Sequence, residues 1–241
     1  MQPRVGPIVL LFVALAVAWS LPARADDEAR KPAHTRNLFF FSLGGSMWPE
    51  LHDLDPSDSP FADDLGRFHT WGIAFEFAYQ RRVARIGDVD VLVGGDIGLM
   101  SHENAVEPDF ILLPFNEELD GSLNANTLYL TPSVRFVVGD MERWRFMVGG
   151  GVGLYVAEFD EQIDEFYGWS GDDELWDETA LGGYLSAAAD RPLWKKRMRW
   201  RFRVETKTHF VDFGDTGPFA PGAGPLKGPA HSVLFGFGWG L

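Results

Sequence analysis

The segment 198–210, MRWRFRVETKTHF, alternates charged side chains with mostly apolar ones. Arginine, glutamate, lysine and histidine at every second position could form ion pairs, line an ion pathway or supply acid–base chemistry. Successive side chains of a β-strand point to opposite faces, so this spacing places the whole charged set on one face of a strand. That face consists of Arg199, Arg201, Arg203, Glu205, Lys207 and His209.

Further alternating segments carry single charges among glycines and alanines on the corresponding face. An unpaired charge in a closed interior costs several kcal/mol, so these groups need partners of opposite sign. We predict an internal charge ladder formed by Glu76, Asp90, Asp96, Arg135, Arg145, Arg201, Arg203, Glu205, Lys207 and His209. Glu76 and Glu205 lie at mid-height, and Arg203 and Lys207 are their expected partners. The same row could instead act as the filter of a gated pore.

The elements that must position these side chains are strands, because the apolar residues recur with period two. The eight alternating segments are 37–48, 70–80, 89–100, 127–139, 143–158, 179–190, 198–210 and 231–241. A tilted strand of about 9–11 residues crosses the hydrocarbon layer of a membrane. The predicted fold is therefore all-β, an eight-stranded antiparallel up-and-down transmembrane β-barrel; a soluble β-sandwich is the architectural alternative.

The connections between the segments alternate in length. Short ones occupy 81–88, 140–143 and 191–197, and long ones of about 20 residues follow the first, third, fifth and seventh strands. The long connections are acidic, most densely in 158–178. Short periplasmic turns and long acidic extracellular loops are thus expected. Pro132 lies inside the fourth segment, where a β-bulge would accommodate its missing N–H.

Aromatic residues are expected at both membrane interfaces, where amphipathic rings are favoured. Trp48, Trp71 and Trp176 are predicted to form the outer girdle. The predicted inner girdle consists of Tyr79, Trp144, Trp200 and Trp239.

The N-terminal residues are typical of a secretory signal peptide. Arg4 precedes the apolar run Ile8 to Trp19, and Ala23 and Ala25 form a small-x-small cleavage site. The apolar run is shorter than the roughly 20 residues that a spanning helix needs. We expect a cleaved signal peptide (1–25), a short periplasmic segment (26–36) and the barrel domain (37–241), located in the bacterial outer membrane.

Composition excludes several other classes of function. The chain has no cysteine, which rules out disulfides and thiolate metal sites, and its net charge of −14 disfavours nucleic-acid binding. The acidic clusters 53–58 and 172–178 lack the spacing of a calcium-binding EF-hand loop, so neither a metal nor a cofactor is predicted. Outer-membrane lipid and lipopolysaccharide are the expected partners of a monomeric protein.

Four segments resemble the small, eight-stranded bacterial outer-membrane β-barrel superfamily, which contains the outer membrane protein A-type and W-type barrels. They are GGGVGLYVAEFD (149–160), LGGYLSAAADRP (181–192), WRFRVETKTHF (200–210) and FGFGWGL (235–241). The resemblance implies that residues 231–241 bind the barrel-insertion machinery, although the chain ends on Leu241 rather than on an aromatic residue. Because these barrels serve as anchors, adhesins, channels and enzymes, the resemblance is specific for architecture alone.

One enzymatic alternative follows from the same strand. Outer-membrane lipid A deacylases resemble this chain in bearing a histidine near the top of the seventh strand, within a His-x-Ser-Asn pattern. This chain reads His209, Phe210, Val211, Asp212, so the nucleophilic serine is missing, and Ser232 is the only serine nearby in the later sequence. We therefore expect a non-enzymatic barrel with a structural or surface-interaction role and a plugged lumen. A narrow channel for small or hydrophobic solutes is the alternative.

Overall fold

The computed structural model describes residues 37–49, 51, 70–106, 121–139, 143–166, 169–194, 197–215 and 225–240. The predicted signal peptide and the segment 26–36 therefore lie outside the described residues. The strands are β1 (Asn37–Met47), β2 (Trp71–Ile86), β3 (Val89–Val106), β4 (Gly121–Gly139), β5 (Arg145–Phe166), β6 (Trp169–Trp194), β7 (Arg197–Asp215), β8 (Pro225–Lys227) and β9 (Ala230–Gly240). Within these residues, no helix has the length and apolar content to cross a bilayer.

Eight of these strands close into a barrel in which every neighbouring pair is antiparallel. Strands β1 to β7 pair in sequence order, and β9 closes the ring between β7 and β1. The short β8 pairs only with the end of β7. The predicted eight-stranded antiparallel barrel is thus confirmed. Closure gives each of the eight wall strands two neighbours, so the backbone groups of the wall are satisfied without water and the ring has no open edge.

The two ends of the barrel differ in their connections. At the end where β1 begins and β9 ends, β2 and β3 are joined by the two-residue turn Gly87–Asp88. Gly87 has φ 60°, the left-handed conformation that glycine adopts without strain. We call this end the turn end and the opposite one the loop end.

The strands extend further towards the loop end than the sequence predicts. The segment 158–178, predicted as a long loop, instead continues the β5–β6 ladder until Phe166 pairs with Trp169. Likewise, β3 and β4 remain paired up to Val106 and Gly121. Adjacent strands can keep exchanging backbone hydrogen bonds beyond the height at which their outer side chains are apolar. The segments 52–69, 107–120 and 216–224 lie outside the described residues.

The bulge predicted at Pro132 does not form. Pro132 stays paired with Gly95 of β3, and the β4–β5 ladder has the same register before and after it. Only the β5 pairing of Thr131 and Pro132 is missing. The absent proline N–H thus interrupts the ladder locally without shifting the strand.

The outer face of the barrel is apolar over most of the height of the strands. Large hydrophobic side chains point outward and are exposed, among them Phe41, Ile73, Phe77, Ile97, Val134, Phe146, Val152, Leu185, Phe235 and Phe237. Glycines and further apolar residues alternate with charged groups on the inner face. A surface of this kind fits hydrocarbon as its solvent, and the polar residues of each strand are buried inside the barrel.

Two apolar clusters occupy the lumen. The loop-end cluster contains Trp48, Leu51, Ala74, Met100, Ala125, Tyr129, Tyr155, Ala157, Val211, Phe213, Ala230 and Leu234. The turn-half cluster contains Leu38, Phe40, Ala78, Leu92, Val137, Met147 and Ala188. Along β7, the charged residues 201–207 lie on the turn-end side of Val211 and Phe213.

The prediction that Trp48 belongs to the outer girdle is wrong. Its side chain is 1% exposed and lies inside the barrel mouth. The indole Nε1 donates a hydrogen bond to the Lys227 carbonyl oxygen at 3.0 Å, and the ring lies 6.1 Å from that of Phe213. Trp48 has the same even-numbered parity as the inward residues of β1, so alternation directs it inward.

Candidate functional site

Five charged side chains meet in the middle of the lumen and form what we call the central layer. They come from β2, β3, β4 and β7, and all are at most 2% exposed. The residues are Glu76, Asp96, Arg135, Glu205 and Lys207. Each is placed there by the inward alternation of its strand.

Arg135 and Lys207 connect the carboxylates of this layer. Arg135 donates from Nη1 to Glu205 Oε1 at 2.6 Å and from Nη2 to Asp96 Oδ1 at 3.0 Å. Lys207 donates from Nζ to Glu76 Oε2. It also lies 3.7 Å from Asp96 Oδ2 and 3.9 Å from Glu205 Oε1. The three carboxylates are therefore linked through two cations.

Two tyrosines complete the central layer, and the predicted set contains neither. Tyr129 donates its hydroxyl proton to Glu76 Oε2 at 2.6 Å, and Tyr184 donates to Asp96 Oδ2. The Lys207 Nζ atom lies 4.1 Å from the centroid of the Tyr184 ring. Both tyrosines have the inward parity of their strands. The alternation places Tyr129 beside Arg135 on the inner face of the fourth segment, and the same signal applies to Tyr184.

His209 lies between the central layer and the loop-end cluster. Its Nδ1 is 3.1 Å from the Tyr155 hydroxyl oxygen, and its Nε2 is 3.5 Å from Ser232 Oγ. The ring also packs 4.9 Å from that of Tyr129. The structure thus brings Ser232 beside His209. Both side chains are buried, at 2% and 0% exposure, and Trp48, Val211 and Phe213 lie nearer the loop end along their strands.

A second charged group, the turn-side layer, lies nearer the turn end. Asp190 accepts from Arg145 at 2.9 and 2.6 Å and from Arg201 at 2.9 and 2.6 Å. The Arg203 Nη2 atom lies 4.0 Å from Asp190 Oδ2. Asp190 is fully buried and is missing from the predicted set. It shares the parity of the inward residues Tyr184 and Ala188, so alternation again carries the signal.

Arg203 belongs to the turn-side layer and also contacts the central layer. It donates to the Gln80 Oε1 atom at 2.9 Å, and its Nη1 lies 3.5 Å from Glu205 Oε2. Its guanidinium carbon lies 3.4 Å from the centroid of the Phe40 ring, within the turn-half cluster. The structure thus places Arg203 near Glu205, as expected, but the shorter contact of Glu205 is with Arg135.

Asp90 stands apart from the other members of the predicted ladder. It lies at the turn end, where its nearest cations are Arg82 at 3.7 Å and Arg85 at 3.9 Å. Its side chain is 16% exposed, in contrast to the carboxylates of the central layer. The predicted ladder includes Asp90, but in the structure Asp90 pairs with Arg82 and Arg85 outside the central layer, because its position on β3 is close to the turn.

The aromatic residues of the turn end form a nearly continuous row outside the barrel. The Phe39 ring lies 5.0 Å from that of Tyr79 and 5.3 Å from that of Trp239, which lies 6.2 Å from Trp200. On the opposite side, Trp144 is 43% exposed.

The predicted outer girdle is described only in part. Trp71 is 69% exposed at the loop end. The side chain of Trp176 lies outside the described residues. Among the side chains that the structure does describe, no group of three or more His, Asp or Glu could hold a metal ion. The acidic segment 53–58 also lies outside the described residues.

The closed ring, its apolar outer face and its charged interior define a small eight-stranded β-barrel of the outer-membrane type. No protein-family model matches the sequence, and no curated protein does.

Solved outer-membrane proteins resemble the chain at low identity. The attachment invasion locus protein Ail of Yersinia pestis is 12% identical with a TM-score of 0.38, over 86% of this chain and 97% of that one. Outer membrane protein OprG from Pseudomonas aeruginosa is 14% identical with a TM-score of 0.41, over 86% and 98%. Outer membrane protease OmpT from Escherichia coli is 7% identical with a TM-score of 0.41, over 89% and 99%. These similarities provide no information about the activity of this chain.

Proposed function

We propose that the protein is a non-enzymatic outer-membrane β-barrel with a plugged lumen and a structural or surface-interaction role. The observation that carries this proposal is the bond between Arg135 and Glu205 at 2.6 Å. These residues belong to β4 and β7, which are not neighbours in the barrel. Their contact therefore crosses the lumen instead of running along its wall.

Small residues on other strands leave room for these long side chains. A Cβ atom at Gly98 would overlap the Tyr129 ring, and one at Gly238 would lie 2.5 Å from the Phe40 ring. An eight-stranded barrel has an interior just wide enough for side chains to fill. Glycine on one wall therefore permits arginine, lysine and tyrosine from the other walls to close the interior.

The surface role rests on the acidic connections at the loop end. Short turns on the periplasmic side and long loops outside are the arrangement of outer-membrane barrels. The turn end would then face the periplasm, and the acidic loop end would face the medium. Lipopolysaccharide and other surface molecules would meet this end of the protein first.

Conductance in planar bilayers tests the plugged lumen. We expect no steady openings from the wild-type protein. A double variant, Arg135→Ala with Glu205→Ala, removes the cross-lumen bond together with its bulk and should produce small, irregular openings. Arg191→Ala removes an outward arginine and serves as the control that should stay silent. Steady wild-type openings would contradict the plug and favour the narrow channel, whose support is the polar lining of the central layer.

The contact of Ser232 with His209 calls for a separate test of lipid chemistry. A serine–histidine pair can transfer acyl groups only if the substrate reaches the serine oxygen. Because both side chains are buried, we expect lipid A to have the same acyl chains in cells with and without the protein. Mass spectrometry would reveal a change, and loss of that change in Ser232→Ala would assign an enzymatic role to this pair.

A further inference from the structure

The turn end combines an aromatic row with arginines that the lumen does not use. Arg81 lies two residues beyond Tyr79 on the outer face of β2, and Arg191 lies on the outer face of β6. The Arg191 guanidinium carbon lies 5.5 Å from the centroid of the exposed Trp144 ring. Arg143, next to Trp144, is also exposed. We call Arg81, Arg143 and Arg191 the outward arginines of the turn end.

The described part of the chain offers these arginines no carboxylate. Neither Arg81, Arg143 nor Arg191 forms an ion pair with any described residue, whereas the buried arginines of the lumen all do. The carboxylate of Asp190 is inside the barrel and is occupied by Arg145 and Arg201. With respect to the described residues, the donors of these guanidinium groups are thus directed to the outer surface rather than to a carboxylate of the barrel.

The opposite end of the barrel has the opposite charge. Asp177, Glu178 and Asp212 are exposed there, and Lys227 lies 3.8 Å from Asp212. The outer surface is thus polarised, with a basic rim at the turn end and an acidic rim at the loop end. The net charge of −14 makes the protein as a whole repel anions. Any attraction of anions must therefore come from the local basic rim.

We propose that the outward arginines of the turn end bind the phosphate groups of anionic phospholipids in the membrane leaflet at that end. A guanidinium group presents a fork of N–H donors that matches phosphate oxygens. Trp144 holds Arg191 by a cation–π contact at the level where aromatic rings meet lipid headgroups. A headgroup with net negative charge is favoured over a zwitterionic one, whose ammonium group the arginines would repel.

Spin-labelled lipids measure this selectivity directly. The full-length mature protein is reconstituted into phosphatidylcholine bilayers that contain a trace of spin-labelled phosphatidylglycerol or spin-labelled phosphatidylcholine. We expect the motionally restricted fraction to be several-fold higher for phosphatidylglycerol. The double variant Arg81→Gln/Arg191→Gln should lower this ratio clearly, with Arg143 as the remaining donor, and Arg81→Lys/Arg191→Lys should lower it less.

Lys227→Gln is the matched control, because it removes one exposed cation from the loop end. Its selectivity should equal that of the wild type. Inorganic phosphate at millimolar concentration should not reduce the wild-type selectivity for phosphatidylglycerol, because the site binds a phosphate that is part of a lipid. Heat-dependent gel mobility shows that each variant is folded before the measurement. Equal restriction of the two lipids by the wild-type protein would overturn the proposal. Undiminished selectivity in folded Arg81→Gln/Arg191→Gln would also overturn it.

Discussion

Both charged layers of the lumen pair buried charges of opposite sign, but their compositions are opposite. The central layer has three carboxylates (Glu76, Asp96 and Glu205) and two cations (Arg135 and Lys207). The turn-side layer gathers three guanidinium groups around the single carboxylate of Asp190. The contact between Arg203 and Glu205 at 3.5 Å joins the cation-rich layer to the carboxylate-rich one.

This difference determines how much each layer depends on one residue. Glu205 lies near Arg135, Arg203 and Lys207, and both Arg135 and Lys207 retain another carboxylate if Glu205 is lost. Asp190 is the carboxylate that Arg145, Arg201 and Arg203 share among the described ion pairs of the turn-side layer. The layer with fewer carboxylates should therefore be the more sensitive to a single substitution.

The largest effect is expected for Asp190→Ala. The substitution removes the carboxylate that three buried guanidinium groups share, whereas breaking one ordinary buried pair costs about 3–5 kcal/mol. We expect the free energy of unfolding to fall by at least the upper end of that range. Urea unfolding in short-chain phospholipid vesicles, followed by tryptophan fluorescence, measures it. If the variant does not fold, its heat-modifiable band will be absent from the gel, which also indicates a large loss of stability.

A loss of less than about 1 kcal/mol in Asp190→Ala would contradict the central role of this carboxylate. Asp190→Asn serves as the matched variant, because it keeps the size of the side chain and removes only its charge. It should be nearly as destabilising as the alanine variant if charge, rather than packing, dominates.

A smaller loss is expected for Glu205→Ala. Removing one partner of a buried pair costs about 3–5 kcal/mol, and the remaining carboxylates should keep the effect within that range. The same urea titration compares it with Asp190→Ala. The comparison between the layers fails if Glu205→Ala is the more destabilising of the two, or if its unfolding curve coincides with that of the wild type.

The Glu76–Lys207 pair can be tested by a double-mutant cycle. Glu76→Gln and Lys207→Met each leave a buried charge without its nearest partner, whereas the double variant removes both charges. Residues in one ion-pair network show coupling energies of about 0.5–3 kcal/mol. We expect the double variant to be more stable than the sum of the single losses predicts. Strictly additive losses would show that the two charges do not interact in the folded protein.

The smallest expected effect concerns packing rather than charge. In Gly98→Ala, the new methyl group would overlap the Tyr129 ring and disturb its bond to Glu76, and overpacking typically costs about 1–3 kcal/mol. Gly45→Ala is the control on the outer face, where the nearest atom is 3.7 Å away. It should stay within about 0.5 kcal/mol of the wild type, as most surface substitutions do. Equal stability of the two variants would argue against a filled lumen.

The errors of the sequence prediction concentrate at the ends of strands. Asp190 and Trp48 both have inward parity and lie at the ends of their predicted segments. The prediction nevertheless places Trp48 in the outer girdle and omits Asp190 from the charge ladder. In the structure, β6 continues past Asp190 to Trp194, and the inward alternation of β1 carries on to Trp48. The period-two alternation therefore indicates the correct face of the strand even at the ends of the predicted segments.

The sequence by itself determined the number of wall strands and which face of each strand meets the lipid. It did so because the side chains of a strand alternate strictly and lipid accepts only the apolar set. Only the tertiary structure decided which inward charges meet, as Arg135 and Glu205 do from strands that are not neighbours. Contacts across the lumen depend on strand tilt and on the relative register of all eight strands, and the period of a single segment carries no information about either.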